Sequence, residues 1–183
     1  MRSPEAMRGF RSAFVAGKRK AGFRLVHYSV QPNHIHLICE ADDEVRLARG
    51  LQGLAIRVAR RVNAALGRKG KLFNDRYHAK AVTSPRQVRA TAVYVLNNTR
   101  KHNADRLVSR HLPKNWLDLA CTSARHFHGW DGVGHVEPDA TSEVAAPETW
   151  LMKKGWLPHG RIRPGETPAT PRRGARGTRA SHG

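Results

Sequence analysis

The sequence predicts an α+β domain, and three observations carry that expectation. Apolar residues recur at helical spacing in three stretches, near residues 4–20, 43–66 and 85–102. Between the first two helices lie two runs rich in branched and aromatic residues, 23–30 and 34–40, joined only by Gln31, Pro32 and Asn33. So short a link predicts an antiparallel hairpin. With a further strand expected over 77–83, the order is helix, strand, strand, helix, strand, helix.

In the first helix Met7, Phe10, Ala13 and Phe14 form the apolar repeat, among Arg8, Arg11, Lys18, Arg19 and Lys20, and Gly22 ends it. In the second strand of the hairpin, residues two apart share a face. His34 and His36 should therefore stand side by side, with Ile35, Leu37 and Cys39 on the opposite face. Asp42 or Asp43 can cap the second helix. Its stripe is Val45, Ala48, Leu51, Leu54, Ala55, Val58 and Val62. Arg46, Arg49, Arg57, Arg60 and Arg61 fall largely off that stripe with no acidic partner four residues on. They form either a solvated face or a phosphate-facing one. Arg68, Lys69 and Lys71 follow in a basic, glycine-bearing loop.

Ser84 and Pro85 supply a cap and a first-turn proline for the third helix. Val88, Ala92 and Val95 are its buried side, and Tyr94 and Asn98 lie one turn apart on another face. Beyond residue 103 the pattern thins. Trp116 and Leu117 suggest a short packed segment, His126-Phe127-His128 sits among glycines in a loop, and 131–146 reads as a linker. Residues 147–156 suggest a short helix, with Trp150, Leu151 and Trp156 packing back. From Arg161 the composition predicts a disordered basic tail. The expected division is a main domain over 1–105, a partly packed extension over 106–160 and the tail over 161–183.

Lys and Arg number 33 against 14 Asp and Glu, a formal net charge of +19. That imbalance points to a polyanionic partner, nucleic acid first and an anionic membrane surface second. No apolar run approaches the ~20 residues that span a bilayer. The first residues lack the apolar segment of a secretory signal. Cys39 and Cys121 alone imply no disulfide framework. The expectation is a cytoplasmic, nucleoid-associated protein without a membrane partner.

Two imidazoles on one strand face can share a metal ion, but with 11 histidines in the chain the bare pattern is weak. A second pair, His126 and His128, makes the point. With Cys121 it would give a zinc site short of a fourth ligand. For the first pair, the amide of Asn98 is a candidate third ligand, suited to Mg²⁺ or Mn²⁺. Such an ion polarises a phosphoryl oxygen. The Tyr94 phenol, one turn away, could attack that phosphorus. The plainer readings are a polar strand face for the histidines, a core aromatic for Tyr94 and a fraying helix end for Asn98.

Four pieces together resemble a known family. They are Pro32-Asn33-His34-Ile35-His36-Leu37-Ile38, then Arg57-Val58-Ala59-Arg60-Arg61-Val62-Asn63, then Gly70-Lys71-Leu72-Phe73-Asn74-Asp75-Arg76-Tyr77-His78, then Tyr94-Val95-Leu96-Asn97-Asn98. In order and spacing they are similar to the HUH single-strand transposases of the insertion-sequence-200-like kind, especially the REP-associated tyrosine transposases. The resemblance covers roughly residues 10–105. It implies a ferredoxin-like antiparallel sheet with helices on one face and the active site on the other. It implies that His34 and His36 bind Mg²⁺ or Mn²⁺, with Asn98 at the third ligand's place. It implies that Tyr94 attacks a DNA phosphodiester, leaving a 5′-phosphotyrosine and a free 3′-OH that later reverses the reaction on another strand.

The implied partner is single-stranded DNA beside a hairpin, with Arg57, Arg60, Arg61, Arg68, Lys69, Lys71, Arg76, Lys80 and Lys101 as its candidate contacts and a homodimer as a further expectation. The family begins with a strand before the first helix, whereas residues 1–9 hold no strand-like run. The main domain is thus expected to be N-terminally incomplete, with an unpaired edge on the histidine strand. The competing expectation is a non-catalytic nucleic-acid-binding protein of the same fold.

Overall fold

The computed structural model describes residues 1–73, 77–99 and 112–167. The chain is α+β, with a three-stranded antiparallel open sheet. Helix α1 spans Pro4–Gly17, opened by Ser3, whose hydroxyl accepts the Ala6 amide, and by a proline in the first turn. It stops three residues short of the expected end because Arg19–Lys20 pairs as a short strand, β1, with Arg24 and Phe23. Strand β2 is Phe23–Val30 and β3 is Ile35–Ala41. They form the expected hairpin, with Ser29 opposite His36 and an irregularity between Leu25 and His27.

That irregularity shifts the side-chain alternation of β2 by one residue. Phe23, Leu25, Tyr28 and Val30 consequently all join one apolar cluster, together with Phe10, Phe14, Leu54, Val58 and Val62. Helix α2, Glu44–Ala65, is capped by Asp43, whose carboxylate accepts the Arg46 amide. It crosses α1 so closely at Gly9 that a Cβ there would stand 2.8 Å from Val62 Cα. Of the apolar stripe read from the sequence, Leu54, Val58 and Val62 are buried, whereas Val45 is exposed at the first turn.

The other cluster holds Val26 of β2 and Val88, Ala92, Val93 and Leu96 of helix α3, Pro85–Leu96. Ser84 caps α3 as expected, accepting the Gln87 amide. Much of this second cluster comes from the C-terminal third. Phe127, Trp130, Met152, Trp156 and Ile162 are all buried in it. The same segment closes the outer edge of β2: Val30 donates to the Cys121 carbonyl, Ser123 to that of Tyr28 and Ala145 to that of Leu25.

Four expectations are corrected. Residues 77–83 are not a strand. They run beside β3 across an open groove and make no ladder with it, and a strand needs an edge to bond. Residues 147–156 hold a short helix only over Leu151–Gly155, and it is of the wide π type. Trp156 packs inward and Trp150 stays 65% exposed. The tail does not begin at Arg161, because Ile162 is fully buried and Glu166 pairs with Arg89. Finally, 131–146 is no loose linker: Val144 is buried, and Lys18 Nζ donates to the carbonyls of Asp139, Ala140 and Ser142.

Candidate active site

The histidine strand is built as its pattern requires. Ile35, Leu37 and Cys39 pack toward the α1–α2 cluster, while Ile38 packs toward the α3 cluster. His34 and His36 share the face of Ile38. Their Nε2 atoms lie 2.9 Å apart. Asn33 Oδ1 lies 2.8 Å from His34 Nδ1. That contact takes the proton on Nδ1 and leaves the His34 Nε2 lone pair turned toward His36.

Tyr94 comes from α3, half-buried. Its ring meets that of His36 at a centroid distance of 4.9 Å and an angle of 71°. His36 and Tyr94 line one groove of about 740 Å³ with His78, Lys80, Gln87 and Arg89. Arg89 is committed elsewhere, through a two-pronged ion pair to Glu166. Lys80 is exposed and lines the same groove.

Asn98 lies one turn beyond Tyr94 and is fully buried. It does not line that groove. Both amide atoms lack a hydrogen-bond partner among the described residues. Such an orphan is costly, about 1–3 kcal/mol, and an amide oxygen is the type of donor that a hard cation takes. No cluster of three His, Cys, Asp or Glu side chains able to hold a metal exists among the described residues. The donor set nevertheless fits a divalent ion in part. Two ligands at ~2.1 Å from one ion and at right angles stand about 3 Å apart, the spacing of the two Nε2 atoms.

The other expected DNA contacts divide by place. Arg57, Arg60 and Arg61 lie on α2, which packs on the sheet face away from α3. Arg61 hydrogen-bonds Ser12 of α1, and Arg57 donates to the Gly53 carbonyl. Arg68, Lys69 and Lys71 lie in the exposed loop after α2. None of these six is ion-paired to a carboxylate among the described residues, whereas Arg2, Arg19, Arg24 and Arg89 all are. Arg76 and Lys101 lie outside the described residues.

The second histidine pair serves the fold. His126 Nδ1 donates to the Val136 carbonyl, and His128 Nε2 to that of Lys153. The sequence reading assigned no role to Asn33, His78 or Gln87. Asn33 was within reach, since an Asx side chain directly before a histidine is a ready orienting partner.

No curated protein and no solved structure matches the chain. A family model described as Transposase IS200 like matches residues 5–98, just over half of the chain, and that span carries α1, the hairpin, α2 and α3 with His34, His36, Tyr94 and Asn98. The chain belongs to the IS200-like transposase family.

Proposed function

We propose that the protein cleaves and rejoins single-stranded DNA through Tyr94. The observation that carries this reading is the contact of the Tyr94 ring with His36, beside the converging Nε2 atoms of His34 and His36, in a groove open to solvent and edged by Lys80. Tyr94 Oη attacks the phosphorus and forms an O–P bond. The bond from phosphorus to the 3′ oxygen breaks, and that oxygen takes up a proton. The product is a 5′-phosphotyrosine and a free 3′-OH, and the reverse attack by a 3′-OH restores a phosphodiester without an external energy source.

His34, His36 and Asn98 would hold Mg²⁺ or Mn²⁺, which when bound withdraws charge from the phosphoryl oxygen. Asn33 fixes the tautomer of His34, and Lys80 offers a positive charge to the phosphate. The unpaired arginines of α2 supply charge over the back of the molecule for flanking DNA, a hairpin included. A second copy of the chain is a candidate partner.

The test is Tyr94→Phe. A hairpin-bearing single strand incubated with Mn²⁺ should give a covalent protein–DNA adduct with the unaltered protein and none with the variant, at equal affinity for DNA. Adducts that persist in the variant refute the reading. The second reading, a nucleic-acid-binding protein without catalysis, is favoured by one observation: Asn98 is shut away from the groove that His36 and Tyr94 line. It predicts salt-sensitive binding and no adduct with either protein.

A further inference from the structure

Trp150 is the exception among the tryptophans. Trp130 and Trp156 are 1% and 0% exposed, whereas Trp150 is 65% exposed. An indole costs free energy in water and normally finds cover. This one is nevertheless held in place. It opens the turn Leu151–Gly155, which has the wide, five-residue hydrogen-bonding pattern that recurs at functional positions. A Cβ built on Gly155 would fall 2.5 Å from Trp150 Cζ3 and 2.8 Å from Cε3. The six-membered ring therefore rests on the bare backbone of Gly155, where no larger side chain fits beneath it. Trp156 anchors the far end of the turn, stacked on Phe127 at 5.4 Å. The indole thus has one side seated on the protein and the remainder in solvent.

Its surroundings are basic. Lys153 and Lys154 are exposed on the same turn. Two carboxylates at the start of the turn are already occupied. Glu148 is paired with Arg19 at 2.7 Å and Arg24 at 2.9 Å. Glu40 accepts from Thr149 and Arg24. An anion approaching Trp150 therefore meets Lys153 and Lys154, while the exposed Asp43 and Glu44 line the adjoining groove. The turn is also continuous with the site. Thr149, Leu151 and Met152 line a groove of about 790 Å³ along the open side of β3, and that groove shares Leu37, Lys80, Ala81, Val82 and Thr91 with the groove of His36 and Tyr94.

We infer that Trp150 is a stacking platform for an unpaired nucleobase, with Lys153 and Lys154 taking the adjoining phosphates, so that single-stranded DNA is held at a second point beyond Tyr94. This rests on the reading of the site as one that takes single-stranded DNA. A flat aromatic ring beside cationic side chains is the chemistry that grips single strands without regard to sequence. A duplex offers no free base face, so Trp150 adds nothing to duplex binding.

The test measures binding of the full chain to a short oligothymidine and to a duplex of the same length, by titration of tryptophan emission and by anisotropy of a labelled strand. Binding of oligothymidine to the unaltered protein should quench the tryptophan emission. Trp150→Ala should lose that quenching and bind about 5- to 150-fold more weakly, the range for loss of one stacked base. Duplex binding should not change. Gly155→Ala provides a second variant: it keeps the indole and displaces it, and it should weaken oligothymidine binding in the same direction. Lys153→Ala with Lys154→Ala should instead flatten the salt dependence. Equal oligothymidine affinity for the unaltered protein and Trp150→Ala overturns the inference and leaves the proposed reaction standing. No oligothymidine binding by the unaltered protein overturns both.

Discussion

His34 presents its Nδ1 to Asn33 Oδ1 at 2.8 Å, and this neighbour fixes the tautomer and orientation of the ring. Asn33→Ala should weaken Mn²⁺ binding by about 10- to 100-fold, as loss of an orienting partner does. His36→Ala should abolish it. Calorimetric titration of Mn²⁺ into the purified protein checks both. Equal affinity in Asn33→Ala would mean that the strand alone orients His34.

Asn98 carries a buried amide with no hydrogen-bond partner among the described residues. Asn98→Leu is close in size and removes the unpaired group. The variant should be more stable by about 1–3 kcal/mol, and it should lose metal-dependent nicking. Urea denaturation together with a nicking assay reads the two effects separately. A destabilised variant would show that the amide is bonded after all.

Glu40 ties the sheet to the 147–156 turn. Burial alone would raise its pKa, but hydrogen bonds from the Thr149 hydroxyl, from the Glu148 and Thr149 amides and from Arg24 outweigh that and hold the carboxyl below its usual range. Glu40→Ala leaves Arg24 and two amides short of a partner. It should cost about 3 kcal/mol and open the turn to proteolysis near Trp150. Thermal melts and limited digestion test this.

His27 sets a pH limit. It is fully buried against Phe127, and its Nε2 has no partner among the described residues. Burial, helped by the nearby His128 and His126, lowers its pKa from 6.5 to about 3. Below 6.5 the unfolded chain takes up a proton that the folded chain refuses. Stability therefore falls as pH drops from 6.5 toward 3, by up to about 1.4 kcal/mol per unit, and His27 adds no pH dependence above that range. His27→Gln should remove this part of the slope in urea midpoints collected between pH 7.5 and 4.5.

The hairpin, α2 and the start of α3 were legible because local rules fix them. Alternation placed His34 and His36 on one face, and Asp43 and Ser84 announced their helices. The pairing of Tyr94 with His36 was open to guesswork from the residues and gained weight through the resemblance, since no local pattern says which helix face meets which strand. The irregularity at Leu25–His27 escaped notice because it depends on register with β3. The strand expected over 77–83 failed for a related reason. Branched residues favour extension, but a ladder needs a neighbour, and β3 leaves a groove there. The fit of 112–166 over β2 and α3 was hidden because its contacts are long-range and its composition is poor in periodic signal.

That return of the C-terminal third has a consequence for how the molecule is made. The sheet and α3 are complete in sequence by Thr99, yet the cover for Val26, Val88 and Leu96 ends only at Ile162. At about 5–20 residues per second, a ribosome needs several further seconds to supply it. Through that interval the back of β2 faces solvent bare, the partners of a half-built core still to be translated. Any slowing of translation between these two points would lengthen the period in which the nascent chain is most open to aggregation and to chaperones.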